Sequence, residues 1–338
     1  MTKKVKWGIL STASIGQRRV IPAMLNCQHS EVAAIASRSL DKAKEAAAKF
    51  SIPKAYGSYE ELFADPEIEA IYNPLPNHLH VEWSIQAASR GKHVLVEKPI
   101  ARNVAEARRL LEIRDENHVK IGEAFMVRTH PQWLRAANLI HSGRIGKLRS
   151  AMCYFSYFNV DPENVRNIAE DAGGALMDIG CYAIKTSRFV FREEPVRVFG
   201  CIERDPSFKT DRLTSAILEF PTGQAVFTVS TQVVYYQRAQ FFGESGRIDV
   251  EIPFNAPTDK PCRIFIDDCS KLYDNASAVV ESFPVCNQFT IQADLFSTAI
   301  RNNTEVPNSL EGAICNMAVI DAVFRSAQSG KWEIPERL

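Results

Sequence analysis

The first third of the chain alternates short apolar runs with stretches of helical pattern. This alternation is the sequence pattern of βαβ units and predicts a parallel sheet with helical crossovers. The second run has apolar residues in nearly every place, as expected of a central strand buried on both faces. The predicted strands are residues 5–10, 32–37, 70–73, 93–97 and 120–125. Residues 1–125 are therefore expected to form a doubly wound dinucleotide-binding domain.

Helix signals occupy the segments between these runs. Residues 15–25 and the alanine- and lysine-rich residues 41–50 favour helices. Ser58 and Glu61 form a capping box. Gly91 ends the next predicted helix, and Asn103 begins one that continues to about residue 117.

The second part of the chain, residues 126–338, has a different pattern. Its apolar runs alternate with polar residues or are rich in aromatic and β-branched residues, which favours an open, largely antiparallel sheet. Pro221 to Gly223 predicts a hairpin turn. The predicted strands are residues 148–158, 196–201, 214–220, 225–231 and 247–252, and the predicted helices are 131–141, 174–191, 288–301 and 310–329. We therefore expect a second, α+β domain.

Composition excludes several classes of partner. The chain has 338 residues, long for one hydrophobic core, and 46% of them are hydrophobic. Forty basic and forty acidic residues, without long runs of one sign, argue against binding to nucleic acid or an anionic membrane. We expect a cytoplasmic protein, because no signal peptide or membrane span is evident and the eight cysteines lack C-x-x-C spacing.

The segment GILSTASIG, residues 8–16, follows the first predicted strand and resembles a dinucleotide fingerprint with two substitutions. Of the three glycines of G-x-G-x-x-G, the first two are replaced by Ser11 and Ala13, and the third is retained as Gly16. Alanine still allows a close backbone approach, and a helix N-terminus attracts phosphate. The predicted phosphate-binding residues are Ser11, Thr12, Ala13, Ser14 and Ile15. A turn with a purely structural role is the alternative.

The end of the second strand indicates which dinucleotide is bound. An acidic residue here would bind the ribose hydroxyls of NAD, whereas this chain has Ser37 and Arg38, with Lys42 following in the helix. We expect NADP, with NAD as a possible cofactor. The alternative for Arg38 is a solvated loop charge.

Four separated motifs resemble those of the glucose-fructose oxidoreductase, inositol dehydrogenase and MocA family. In chain order they are YNPLPNHLH at 72–80, GKHVLVEKP at 91–99, EAFMVRTHPQ at 123–132 and GGALMDIGCY at 173–182. The resemblance implies a Rossmann domain followed by an α/β domain whose sheet often mediates oligomer contacts. The S-x-A-x-x-G turn departs from the usual glycines. It is similar to the turn found in the branch that contains NADP-dependent xylose dehydrogenases and dimeric dihydrodiol dehydrogenases.

The resemblance also implies the catalytic residues. Asp178 and Tyr182 are four residues apart and share one helix face, and the family places that face at Lys98 and the cofactor. A nearby ammonium group lowers the pKa of a phenol. Tyr182 is thus the expected general acid/base, Lys98 tunes it and binds ribose and substrate, and Asp178 orients the substrate hydroxyls. The alternatives are an interface aromatic for Tyr182 and a surface charge for Lys98.

Further cofactor contacts are expected from residues before and after Lys98 in the chain. The resemblance implies a nicotinamide-side loop, a contribution from the end of the fifth strand, and an arginine that reaches cofactor or substrate. Phe155 and Tyr157 either line the sugar pocket or pack in the core. His78 and His80 lack a third ligand, so no metal site is predicted. The expected cofactor contacts are Leu75, Pro76, Asn77, His80, Glu97, Lys98 and Arg166.

These expectations favour an NADP-dependent oxidoreductase that acts on an aldose at C1, such as xylose or glucose, on a cyclic polyol or on a trans-dihydrodiol. A glycosidase that uses NAD for transient oxidation and a non-catalytic NADP sensor are the alternatives. Retention of Lys98, Asp178 and Tyr182 together argues against the sensor. A homodimer through the exposed face of the second sheet is expected, because that face would otherwise leave aromatic residues in water.

Overall fold

The structure is a computed structural model that describes residues 3–271 and 275–338. The chain divides into two compact units. The first comprises Met1–Met126 and Asn287–Ile314, and the second comprises Val127–Cys286 and Cys315–Leu338. The sequence-based division after residue 125 differs from this division in two places, because it assigned residue 126 and residues 287–314 to the second domain.

The first unit contains the predicted parallel sheet. Its six strands have the order β3-β2-β1-β4-β5-β6. Successive strands are added towards one edge from β1 to β3 and towards the other edge from β4 to β6, so the strand order reverses between β1 and β4. β3 was not predicted, because three half-buried residues carry no clear alternation. The strands are β1 (Val5–Leu10), β2 (Ser30–Ala36), β3 (Lys54–Tyr56), β4 (Ala70–Asn73), β5 (His93–Glu97) and β6 (Ile121–Ala124).

The predicted helices of this unit are present, although the first of them is only partly α-helical. The hydroxyl of Ser58 accepts the Glu61 N–H at 3.2 Å, and the amide oxygen of Asn103 accepts the Glu106 N–H at 2.9 Å. The first predicted helix is instead a π-helical segment, Gly16–Val20, that continues into a short α-helix. The α-helices are α1 (Ile21–Met24), α2 (Leu40–Phe50), α3 (Tyr59–Ala64), α4 (His80–Ala88) and α5 (Val104–Glu116).

A helix from the end of the chain completes the first unit. α8 (Gln288–Asn302) contacts β1 and β2. The Trp7 indole donates to Ser297 Oγ at 3.0 Å, and Arg301 pairs with Glu69 through contacts of 2.6 and 2.7 Å. These bonds join residues 290 and 232 positions apart in the chain, which local sequence patterns do not encode.

The second unit contains an eight-stranded sheet of order β14-β13-β12-β11-β7-β10-β9-β8. All neighbouring strands are antiparallel except β10 and β7, which are parallel. Pro221 and Thr222 connect β9 to β10, which confirms the predicted hairpin. The strands are β7 (Leu148–Phe158), β8 (Arg197–Arg204), β9 (Asp211–Phe220), β10 (Gly223–Ser230), β11 (Gln232–Gly243), β12 (Gly246–Val250), β13 (Cys262–Asp267) and β14 (Val279–Phe283). The α/β fold class is confirmed, whereas β11, β13 and β14 were not predicted.

Helices of the second unit pack with this sheet. α6 (Pro131–His141) contacts β12 and β13. A π-helical segment, Leu176–Gly180, leads into α7 (Cys181–Phe191), which contacts β7. The division between the units falls within α9 (Leu310–Ser329). None of the helices in the described ranges combines the length and apolarity needed to cross a bilayer.

Candidate active site

The loop after β1 lies where the strand order reverses, the position at which open α/β sheets bind ligands. Ser11, at the place of the first fingerprint glycine, adopts the left-handed conformation with φ +62°. A residue with a side chain rarely adopts this conformation, and Ser11 Oγ accepts the Ala13 N–H at 3.2 Å. The loop therefore makes the glycine-type turn without glycine.

The residues that follow Ser11 in this loop are also held by a hydrogen bond within the loop. The Gln17 side-chain amide donates to the Thr12 carbonyl oxygen at 2.8 Å. A Cβ placed on Gly16 would meet only Pro74 Cγ, at 4.0 Å, among the described atoms. Ser14 is exposed and Ile15 is half-buried, at the start of the helical turn that precedes the π-helical segment.

The end of β2 presents two cations. Ser37 is buried, and its hydroxyl accepts the Ser39 N–H at 3.3 Å. Arg38 and Lys42 are both exposed. Within residues 3–271 and 275–338, neither side chain forms an ion pair. The residues of this edge therefore fit a dinucleotide that carries an anionic group on its ribose.

Buried Asn73, the last residue of β4, organises the loop that follows. Its side-chain oxygen accepts the Leu75 N–H at 3.2 Å, and its amide group donates to the His80 carbonyl at 3.0 Å. Pro76 and Asn77 are half-buried, whereas Leu75 is buried. The loop is thus shaped by its own hydrogen bonds at the carboxyl end of β4.

His80 is placed differently from the other predicted contacts. It is 1% exposed, and its Nδ1 and Nε2 lie 2.8 Å from Pro99 O and 2.7 Å from Leu75 O. Burial lowers the pKa of the imidazole to about 4, against the effect of these two carbonyl oxygens. Because both nitrogens face backbone oxygens, the ring holds the loop; the cofactor contact expected of His80 from sequence stays a prediction.

The segment Glu97 to Ile100 follows β5 and contains a cis peptide bond between Lys98 and Pro99. The Tyr72 hydroxyl donates to Glu97 Oε1 at 2.7 Å, and the Ile100 N–H donates to Glu123 Oε1 at 3.3 Å. Burial raises the pKa of Glu97, whereas Tyr72 and the Lys98 charge oppose that rise. Lys98 is half-buried, and its backbone N–H donates to Glu97 Oε2 at 3.3 Å.

A second group of polar residues lies in the second unit, and we call Tyr157, Arg166, Asp178 and Tyr182 the Tyr182 cluster. Asp178 lies on the π-helical segment and Tyr182 in the first turn of α7. The Tyr157 hydroxyl and Arg166 Nε both donate to Asp178 Oδ2, at 2.6 and 2.9 Å. The structure therefore joins Arg166 and Asp178 to Tyr157, whose role the sequence left open, and Tyr182 interacts electrostatically with Arg166.

Aromatic rings enclose Tyr182, which is 5% exposed. The ring centroids of Phe155 and Phe254 lie 5.8 and 5.4 Å from that of Tyr182. Phe254 also stacks on Phe155, with 4.9 Å between centroids. Since the backbone N–H groups of Phe254 and Asn255 both donate to Gln237 Oε1, at 2.9 and 3.0 Å, a buried amide holds one wall around the phenol.

Electrostatics of the cluster favour an ionised Arg166–Asp178 pair. The Asp178 carboxylate raises the pKa of Arg166 against the effect of burial, and Tyr182 contributes to the rise. Burial, followed by the Asp178 charge, raises the pKa of Tyr157. Tyr157 therefore remains a hydrogen-bond donor to Asp178, while the guanidinium group favours negative charge on the Tyr182 oxygen.

Two glycines and a buried aspartate position the π-helical segment. Asp211 accepts the Leu176 N–H and the Thr214 hydroxyl, each at 2.7 Å. Gly174 has φ +113°, and a Cβ there would lie 1.9 Å from Asp211 Oδ1. A Cβ on Gly173 would lie 2.4 Å from the Arg166 carbonyl oxygen. Only glycine fits at these two positions, which explains the double glycine of the GGALMDIGCY motif.

Sequence reasoning missed Asp211 and left the role of Tyr157 open. Asp211 lies at the start of a strand and has no motif around it, so no local signal identifies it. The alternation of β7 does place Tyr157 on the same face as Phe155.

Within the described ranges, no group of three or more His, Cys, Asp or Glu side chains could hold a metal ion.

Comparison with known proteins gives the family. Residues 5–125 match the family described as "Oxidoreductase family, NAD-binding Rossmann fold", and residues 133–249 match the "GFO/IDH/MocA C-terminal domain". The chain belongs to the GFO/IDH/MocA oxidoreductase family. It is therefore an oxidoreductase, as the sequence motifs indicated.

Relatives of this family member span its whole length. It is 48% identical over 332 residues to "Uncharacterized oxidoreductase ORF334" of Rhizobium meliloti, with 97% of this chain and 98% of the relative covered. It is 35% identical to "D-xylose 1-dehydrogenase (NADP(+)) 2" of Haloferax volcanii, with 96% and 98% covered. The 3-ketoreductase KijD10 of Actinomadura kijaniata, solved with NADP and TDP-benzene, has a TM-score of 0.89 at 27% identity, with 96% and 98% covered.

Replacement of Gly174 by alanine tests the role assigned to the double glycine. We expect Gly174→Ala to displace Asp211 and to lower the free energy of unfolding by about 2 kcal/mol or more, because steric clash adds to an unfavourable backbone conformation. Gly143→Ala is the matched control, since Gly143 has φ +78° but no atom within 4 Å of its Cβ position. Equal losses in urea titrations of the two variants would contradict the packing argument.

Proposed function

We propose that this oxidoreductase is NADP-dependent and transfers a hydride between the hydroxyl-bearing carbon of a sugar or cyclic polyol and nicotinamide. Aldose C1, as in xylose or glucose, and a trans-dihydrodiol are the substrate classes. The observation that carries the proposal is the Tyr182 cluster, in which a buried phenol lies beside an ionised Arg166–Asp178 pair. The NADP named for the Haloferax volcanii relative and bound in KijD10 supports the choice of cofactor.

Tyr182 is the general acid/base in this proposal. Oxidation of an alcohol requires removal of the hydroxyl proton, and Tyr182 Oη accepts it; in the reverse direction the phenol returns it. When bound, NADP supplies the hydride acceptor or donor. The enclosure of Tyr182 by Phe155 and Phe254 restricts its ring and excludes water from one side.

Lys98 provides the second cation of the proposed site. The family resemblance implies that Lys98 tunes the acid/base, and in this proposal Lys98 also binds ribose and substrate oxygens. The charge of Lys98 opposes the rise that burial causes in the pKa of the neighbouring Glu97.

Asp178 orients the substrate hydroxyls. Its Oδ2 already accepts two hydrogen bonds, from Tyr157 and Arg166, so the carboxylate is held in one orientation. A fixed carboxylate that accepts a substrate hydroxyl places the reacting carbon without further loss of side-chain freedom.

The edge of the first sheet binds the cofactor. The loop from Ser11 to Ile15 holds the pyrophosphate, and Ser37, Arg38 and Lys42 hold the 2′-phosphate of NADP. Leu75, Pro76 and Asn77 form the nicotinamide side, with Glu97 behind it. Arg38 and Lys42 support NADP because both cations are exposed and form no ion pair in the described part of the chain.

We also infer that the enzyme acts as a homodimer in the reducing cytoplasm. Each of the eight cysteines, all within the described ranges, carries a thiol rather than a disulfide. The outer face of the second sheet has a groove of about 490 Å³ that contains Met152, Val226 and Tyr236. These side chains are 47%, 36% and 48% exposed, and a second copy would cover them.

The cofactor assignment predicts the effect of Arg38→Ala. We expect the Kd for NADPH to rise at least about tenfold, because a guanidinium–phosphate contact is lost, and the Kd for NADH to change little. The control is Lys44→Ala, since Lys44 is an exposed lysine on α2; this variant should change neither Kd. Fluorescence titration with both nucleotides measures this, and an equal rise for NADH and NADPH would contradict the assignment.

The catalytic assignment predicts that Tyr182→Phe and Lys98→Met lose about two orders of magnitude or more in kcat while retaining NADPH binding. Tyr154→Phe, on β7 but outside the cluster, should retain activity. The assay follows nicotinamide reduction with NADP and NAD over aldoses, inositols and a trans-dihydrodiol. Full activity of either variant would refute its role, and cleavage of a nitrophenyl glycoside without net cofactor reduction would favour the glycosidase.

The dimer predicts a mass of about twice 37.9 kDa by light scattering. Val226→Glu places a charge in the groove and should give a monomer, because burial of an unpaired carboxylate is costly. Val279→Glu, an exposed valine that does not line the groove, should leave the mass unchanged. A monomeric wild-type protein would contradict this inference.

A further inference from the structure

The segment of residues 252–255 follows β12 and supplies one wall around Tyr182. Its Phe254 is fully buried, and the Phe254 ring centroid lies 5.4 Å from that of Tyr182 and 4.9 Å from that of Phe155. The paired residues of β12 end at Val250. The sheet therefore does not fix the position of Phe254, and side chains from other elements hold this segment.

Gln237 holds Phe254 through its backbone. Gln237 Oε1 accepts the N–H groups of Phe254 and Asn255, at 2.9 and 3.0 Å, and Gln237 Nε2 donates to Tyr235 Oη at 2.6 Å. Because the amide oxygen accepts from two donors and the amide nitrogen donates to an acceptor, the side chain has one orientation. Gln237 is buried and lies opposite Phe155 in the pairing of β11 with β7. It therefore shares a sheet face with the ring on which Phe254 stacks.

Two side chains of α6 hold the carbonyl groups of the same segment. Gln132 Nε2 donates to the Ile252 carbonyl oxygen at 2.8 Å, and Trp133 Nε1 donates to the Pro253 carbonyl oxygen at 2.6 Å. Both side chains are fully buried. These bonds hold the two residues before Phe254, whereas Gln237 bonds to Phe254 itself. The chain thus offers two buried glutamines that hold one segment at different residues.

We propose that Gln237 is a positioning residue for the reaction: by fixing the backbone of Phe254 it fixes the Phe254 ring, and with it the direction of the Tyr182 phenol. Proton transfer requires the phenol oxygen to lie within hydrogen-bond distance of the substrate hydroxyl, and a displacement of about 1 Å can lower a rate about a hundredfold. The effect on the rate rests on the proposed function. The effect on the position of the Tyr182 ring does not.

Loss of the Gln237 amide would remove the acceptor of two backbone N–H groups. Phe254 is fully buried, and a buried donor without an acceptor is costly, so the backbone would move to regain a hydrogen bond. The Phe254 ring would move with it. Tyr182, which lies against Phe254 and Phe155, would then lose the fixed position of one wall.

Two substitutions of Gln237 separate its hydrogen bonds from its shape. Gln237→Leu removes the bonds to the backbone. Gln237→Glu retains both acceptor bonds, and the Tyr235 hydroxyl can turn to donate to the carboxylate, so this variant should keep Phe254 in place. Its negative charge disfavours the phenolate and should raise the pKa of Tyr182. In alcohol oxidation, where Tyr182 accepts the proton, kcat of Gln237→Glu should therefore reach its plateau at a higher pH.

Aromatic NMR of the protein without substrate tests the position of the Tyr182 ring. With labelled tyrosine, the Tyr182 signals are identified by their loss in Tyr182→Phe. Ring currents of Phe155 and Phe254 displace these signals from the position of free tyrosine, so the signals report how the two rings lie against Tyr182. Neither turnover nor bound cofactor is needed for this measurement.

We expect Gln237→Leu to move the Tyr182 signals towards the position of free tyrosine, and Gln237→Glu to leave them near their wild-type position. Gln237→Asn, whose shorter amide cannot reach both N–H groups, is the second test variant and should move them in the same direction as leucine does. Gln132→Leu is the matched control and should leave them in place. Unchanged Tyr182 signals in Gln237→Leu or Gln237→Asn, or an equal movement in Gln132→Leu, would overturn the proposal.

Kinetics test the consequence for the reaction. We expect Gln237→Leu to lower kcat about tenfold or more through misplacement of the phenol, with little change in the Kd for NADPH. Gln132→Leu should lower the urea midpoint of unfolding but retain most of kcat. An equal loss of kcat in the two variants would refute the positioning role. Failure of the proposed function would instead appear as no turnover by the wild type, with the NMR result unaffected.

Discussion

The parallel pairing of β1 with β4 is the constraint on which the proposed cofactor edge depends. Because the strand order reverses between these two strands, the loops that follow them diverge and leave room at the carboxyl edge of the sheet. The S-x-A-x-x-G turn, the loop after Asn73 and the Lys98 segment all begin at this edge. Ser11 adopts a glycine-like conformation there, with φ +62°, although it carries a side chain.

The second unit depends on a comparable constraint, the contact of Asp211 with the start of the π-helical segment. The carboxylate caps Leu176, and the double glycine makes room for that carboxylate and for the Arg166 carbonyl. Burial raises the pKa of Asp211 to about 6. Since its pKa in the folded protein is above the ordinary value, this group favours folding most below about pH 4, and that contribution declines as the pH rises through 6.

Both units use backbone geometry to bring polar groups to fixed positions. In the first, Asn73 and His80 bond to carbonyl and amide groups of the loops around Lys98. In the second, Gln237 holds the backbone of Phe254, which packs on Tyr182. Membership of the GFO/IDH/MocA family makes the chain an oxidoreductase, and these polar residues hold the backbone next to Lys98 and Tyr182, the residues proposed to act in its reaction.

The sequence by itself determined the two-part α/β architecture, because βαβ alternation, caps and hairpin turns are local signals that tertiary packing did not override. It also determined the family through separated motifs, and the acid/base role of Tyr182 stays a prediction. Tertiary structure decided that residues 287–314 complete the first unit, since Trp7 and Ser297 meet across most of the chain. It also decided that Tyr157 and Arg166 share Asp178 and that His80 lies behind its loop. The first of these contacts joins residues 290 positions apart, and the others depend on side-chain directions in loops and at helix starts, about which local periodicity carries no information.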